Sequence, residues 1–171
     1  MILLNGCSGI RSALPGSPQD AAPGLITAQD RAQIHALIAL YSHTFDGGDV
    51  DAWIDLFTEE AEFVTSTVGS AQGKEALRRW AEERLADRAG DQMRHFATNT
   101  LLRPLSSDQV RARSYVLITR QSLTGGSLAQ VLFTGVYEDD IRRTPKGWKF
   151  ERRRAEASLP LDDAFRCAAG C

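Results

Sequence analysis

Residues 93–103 read Met-Arg-His-Phe-Ala-Thr-Asn-Thr-Leu-Leu-Arg, and the hydrophobic period of the chain changes here. Upstream, apolar residues recur at helical spacing; from this stretch onward the pattern is that of strands. In an extended chain His95, Ala97, Asn99 and Leu101 share one face, and Phe96 and Thr98 the other. The runs 110–122, 129–142 and 147–157 read the same way, separated by turn-rich segments at Pro104–Asp108, Thr124–Ser127 and Thr144–Gly147. Four strands with short connections predict an antiparallel meander.

Upstream, Thr27-Ala-Gln-Asp30 resembles a capping box, with Asp where Glu or Gln is usual. Ile34, Leu37, Ile38, Tyr41 and Phe45 follow at helical spacing, which predicts a helix over 28–46 ended by Gly47-Gly48. Asp49 is placed to cap a shorter helix carrying Trp53, Ile54, Leu56 and Phe57. Ala61–Thr67 reads as a strand and Gly69–Gly73 as a loop. A third helix is expected over about 73–88, with Leu77, Trp80 and Leu85 on one stripe. Helices followed by a mostly antiparallel sheet make an α+β domain, with the helices packed on one sheet face.

The chain has 171 residues, which favours one domain. Twenty Lys and Arg against twenty-two Asp and Glu give a formal net charge of −2, so bulk charge does not point to nucleic acid or an anionic membrane. No apolar run approaches the length of a membrane helix. Residues 1–24 are rich in Gly, Pro, Ser and Ala and are expected to form a disordered arm. The run Ile2–Leu4 is too short for a signal peptide. Cys7, Cys167 and Cys171 are odd in number and lie near the ends, so reduced thiols of a cytoplasmic protein are expected rather than disulfides or a zinc site.

Two residues stand out chemically. Asp46 falls in the last turn of the long helix, where the dipole disfavours a carboxylate unless a cation or imidazole meets it. At 100° per residue it lies about 120° from the centre of the apolar face, whereas His43 lies on the far side and His35 also falls off that face. His95 opens a strand on the sheet that the helix would cover. An Asp accepting from one ring nitrogen leaves the other free as a base. Tyr115 is a candidate hydrogen-bond donor to a substrate oxygen, with Tyr41 behind it. Arg152 and Arg154 alternate with Trp148 and Phe150, so one of them could point inward. Asn99 either holds a loop or binds a ligand. No Gly-rich phosphate loop, HExxH, Gly-x-Ser-x-Gly or Cys nucleophile is present, which leaves a cofactor-free, metal-free proton transfer as the expected chemistry.

The helix ending in Asp46, the Ala-Glu-Phe run at 61–63, Gly73-Lys-Glu-Ala76, His-Phe-Ala-Thr-Asn at 95–99 and Gly147-Trp-Lys-Phe150 occur in order. Together they resemble a SnoaL-like domain of the nuclear transport factor 2-like superfamily, over roughly residues 25–158. Scytalone dehydratase and hexachlorocyclohexane dehydrochlorinase are similar. The resemblance implies a cone-shaped barrel of a curved, mostly antiparallel sheet wrapped around three N-terminal helices. It implies a lyase or isomerase in which His95 takes a proton and Asp46 orients it, and a small hydrophobic, cyclic or polyketide-like substrate. The chain departs from the dehydratase in having Phe45 before the Asp and no His in 110–121, while Asn99 matches the dehydrochlorinase. Tyr41, Phe45, Trp53, Phe57, Phe63, Asn99, Phe133 and Arg152 are the expected pocket residues. A homodimer or homotrimer is implied, and the tail 159–171, with Phe165 as plug, is a candidate pocket lid. The competing expectation is a non-catalytic ligand-binding or scaffold domain like the small subunit of ring-hydroxylating dioxygenases.

Overall fold

Three helices precede and then punctuate a sheet: α1 (Ala28–Gly47), α2 (Val50–Ile54), β1 (Phe57–Thr65), β2 (Ala71–Gln72), α3 (Lys74–Ala86), β3 (Gln92–Pro104), β4 (Gln109–Gln121), β5 (Gln130–Thr144) and β6 (Gly147–Glu156). The computed structural model describes residues 25–124, 128–161 and 165. The expectations for the N-terminal arm and the three cysteines lie outside the described residues.

The sheet is curved and mixed, in the order β2-β1-β6-β5-β4-β3, and does not close. The meander from β3 to β6 is antiparallel, as its short turns require. The β1–β6 pair is parallel, a pairing that local periodicity does not encode. Phe57, expected on the second helix, instead opens β1, and the 69–73 loop contains the short β2.

The core lies between the helices and the concave sheet face. Tyr41, at its centre, has ring centroids of Trp53, Phe57, Tyr137 and Phe150 within 5.6–6.1 Å. Ile34, Leu37 and Ile38 bury the remainder of the helix stripe. His35 and His43 are exposed on the other side.

Bulges decide which side chains reach that core. Between Thr98 and Leu101 the β3–β4 register shifts, and Asn99 takes the left-handed conformation at φ 54°. The alternation therefore inverts: His95 and Ala97 face inward, then Thr100 and Leu102, while Asn99 and Leu101 are exposed. A second bulge, at Glu151, lies where Asp140 pairs with Arg152 but Ile141 pairs with Phe150. It carries Arg153 inward instead of Arg152 or Arg154.

The start of α1 is tied to the sheet. Thr27 Oγ1 accepts from the Asp30 N–H at 3.1 Å, and Asp30 Oδ2 accepts from the Thr27 N–H at 2.9 Å. The other Asp30 oxygen accepts from Trp148 Nε1 at 3.2 Å and pairs with Arg143 at 2.7 Å. The Thr27 backbone N–H foremost, with the Thr27 hydroxyl, Trp148 and Arg143 also contributing, holds the Asp30 carboxyl well below its ordinary value of 3.8. A depressed carboxyl contributes stability that is complete above its unfolded value and lost as pH falls toward the folded one. Asp30→Asn therefore flattens the decline of stability below about pH 4. Urea unfolding at several acidic pH values checks this, and an unchanged slope contradicts it.

Candidate active site

The β3 strand is a sheet edge, so half of its backbone donors have no strand partner. The end of α1 covers that edge. Asp46 Oδ2 accepts from the His95 backbone N–H at 2.8 Å, and Oδ1 meets His95 Nδ1 at 2.5 Å. Both side chains are buried, at 6% exposure for His95 and 7% for Asp46. An ionised carboxylate only accepts, so Nδ1 is the donor of this contact. Nε2 has no hydrogen-bond partner among the described residues, and it is not one of the sealed polar atoms. Two-point attachment fixes the imidazole without strain on the helix end, because the carboxylate is met by donors there.

His95 lines a cavity of about 470 Å³, a common size for a small-molecule site. Tyr41, Phe45, Phe63, Trp80, Ile118, Leu132, Phe133 and Tyr137 supply most of the apolar wall. Arg84, Asp87, Arg88 and Arg120 form a polar sector. Among the described residues, no three His, Cys, Asp or Glu side chains are grouped as metal ligands, and no helix is long and apolar enough to cross a membrane.

Of the expected pocket residues, Tyr41, Phe45, Phe63 and Phe133 line this cavity. Trp53 and Phe57 are fully buried beneath it and do not. Asn99 is turned out by the β3 bulge. Arg152 pairs with Glu62 at 3.0 Å on the exposed side. Tyr115 is 58% exposed on the convex face, opposite in parity to Val116 and Ile118, so it is not brought to His95. Of the candidate lid, residues 162–164 and 166–171 lie outside the described residues. Arg113, on the same convex face as Tyr115, donates to the carbonyls of Leu159 and Pro160, which places the start of the tail behind the sheet. Phe165 is buried but does not line the cavity.

Sequence reasoning missed Arg153, Arg84 and Arg88. Arg153 and Asp139 form a fully buried pair with two bonds of 2.7 Å. The guanidinium lies 3.9 Å from the Tyr41 ring centroid and 4.3 Å from that of Tyr137. Burial works against its charge, but Asp139 more than offsets this and raises the pKa of Arg153 above its ordinary value. Burial pushes the Tyr41 phenol up to about 12 and that of Tyr137 well above its usual 10. Both phenols therefore stay protonated and able to donate. The detectable signal was an Arg-Arg-Arg run facing an acidic strand, which required the bulge position to resolve.

A SnoaL-like domain family matches residues 27–154. An uncharacterized protein of Mycobacterium tuberculosis is 30% identical over 126 residues, covering 72% of this chain and 82% of the relative. A Novosphingobium aromaticivorans crystal structure, provisionally named an aromatic ring hydroxylase, is 30% identical with a TM-score of 0.66, covering 80% of this chain and 94% of that one. A second protein from that organism, provisionally named a scytalone dehydratase, shares the fold at 22% identity and a TM-score of 0.64, over 74% and 83% of the two chains. The architecture is the NTF2-like, cystatin-like fold. With the match spanning most of the described residues, the chain belongs to the SnoaL-like domain family.

Proposed function

We propose that the protein is a cofactor-independent lyase or isomerase acting on a small apolar, cyclic or polyketide-like molecule. The observation that carries the reading is the Asp46–His95 pair at 2.5 Å, with Nε2 free beside an apolar cavity. His95 Nε2 takes a proton from a substrate carbon. The electron pair of that C–H bond forms the new double bond. In a lyase step the leaving group departs with its own pair and is protonated as it goes; in an isomerase step the proton returns to another carbon. Asp46 holds the tautomer and stabilises the imidazolium.

Polarisation of a substrate oxygen passes from Tyr115 to Tyr41 and Tyr137, whose neutral phenols belong to the cavity wall. Removing one such donor costs about 10²–10³-fold where it faces developing charge. A panel of cyclic β-hydroxy ketones, incubated in D₂O, tests the reading through elimination or C–H exchange. Turnover by the wild-type protein that falls in Tyr137→Phe but persists in Tyr115→Phe is expected. Equal loss in both variants contradicts this assignment of donors.

The second reading is a non-catalytic ligand-binding or scaffold domain, like the small subunit of ring-hydroxylating dioxygenases. An assembled His–Asp pair opening on a cavity is not required by that role, so we place it second. The convex face exposes Phe96 and Tyr115, and packing through it into a homodimer or homotrimer is part of the proposal.

A further inference from the structure

We propose that this cavity selects apolar molecules that carry a carboxylate, received by Arg84 and Arg88. The inference rests on reading the cavity as the substrate site and adds the class of substrate. Arg88 is only 8% exposed. Its two terminal nitrogens donate to the carbonyls of Phe45 and Asp46, each at 3.0 Å, which caps the end of α1. That use leaves Nε buried with no acceptor among the described residues. No described carboxylate lies within ion-pair distance of Arg88; the nearby Asp46 charge favours its cation, but its oxygens meet His95 rather than Arg88. One helical turn earlier, Arg84 repeats the pattern. Its Nη2 meets Asp87 at 3.0 Å, while its Nε is buried and unpaired.

Unpaired buried donors are rare in native folds and costly to leave so. Two of them, four residues apart and belonging to side chains that line one cavity, point to a missing acceptor. An ionised carboxylate is acceptor-only and offers two oxygens to such a pair. The guanidinium is a rigid fork, so a modest side-chain rotation presents its Nε edge to the space it already lines. Arg120 adds a third cation to the same sector, paired with Asp91 at 2.5 Å. Phe45, Phe63, Trp80 and Phe133 then enclose the apolar body. A neutral ligand of the same shape displaces water from this sector without replacing its hydrogen bonds, and binds less well for that reason.

Calorimetric binding of 2-naphthoate and 2-naphthamide to the full-length protein separates the possibilities. Charge-assisted hydrogen bonds predict about tenfold or greater preference for the naphthoate. That ratio falls to near one in Arg84→Met and in Arg88→Met. Because Arg88 also caps α1, its variant is accompanied by a melting curve, and Arg84→Met carries the test if Arg88→Met does not fold. Equal affinity for both probes in the wild-type protein, or an unchanged ratio in Arg84→Met, overturns the carboxylate site while leaving the apolar cavity as substrate site. Binding of neither probe overturns both.

Discussion

Arg153→Met lowers the free energy of unfolding by about 3–5 kcal/mol, the magnitude expected when one partner of a buried ion pair is removed. Asp139 and Arg153 have no exposed side-chain surface, and each carboxylate oxygen accepts one of their two 2.7 Å bonds. Without Arg153 the carboxylate stays in the core with no cation, or takes up a proton at a cost in stability. The loss is compounded by packing. The guanidinium lies within 4.3 Å of the ring centroids of Tyr41, Tyr137 and Phe150, so it is the filler at the centre of the aromatic cluster. Replacing both partners by apolar residues, as in Arg153→Met with Asp139→Leu, recovers much of the deficit, because no unpaired charge remains. Urea unfolding of the three proteins measures these values. A loss below about 1 kcal/mol for Arg153→Met contradicts the account of the pair.

His95→Ala reduces turnover about 10²–10⁴-fold, the usual contribution of a positioned general base. The fold survives, since the backbone N–H of residue 95 still donates to Asp46 Oδ2. Oδ1 loses the imidazole and costs about 1–3 kcal/mol, less than the expected loss at Arg153. The two variants thus differ in emphasis: Arg153→Met is read chiefly in stability, His95→Ala chiefly in rate. Asp46→Asn lowers the rate while leaving Nε2 in place, because an amide no longer fixes the tautomer or supports the imidazolium. Turnover within about threefold of wild type in His95→Ala removes His95 as the base, since an effect that small lies far below the usual contribution.

Much of the fold was legible because local rules dominate it. The cap at Thr27, the helical stripe from Ile34 to Phe45, and the four strands with polar turns each announce themselves within a few residues. Asp46 and His95, 49 residues apart, were legible as a pair because a carboxylate at a helix C-terminus calls for a donor and the helix covers the sheet that carries His95, and the family resemblance agreed; spacing along one chain does not encode the contact itself. Strict alternation failed at the bulges. One inserted residue reverses every side chain beyond it, so Asn99 left the cavity wall and Arg153 took the inward place expected of Arg152 or Arg154. Tyr115 was misplaced for a different reason. An exposed aromatic on a strand has the same local signature as a buried one, and only the parity set by Val116 and Ile118 tells them apart. The parallel β1–β6 pair is equally silent, because it joins segments from opposite ends of the domain.

The most direct measurement is the ¹⁵N and ¹H resonances of the His95 imidazole in labelled protein. The Asp46 contact requires the proton on Nδ1, shifted strongly downfield by its carboxylate partner, and an unprotonated Nε2 of acceptor type. Asp46→Asn abolishes the downfield signal. A neutral ring carrying its proton on Nε2, or an Nδ1 proton unaffected by Asp46→Asn, contradicts the base assignment, because the lone pair needed for proton abstraction would not face the cavity.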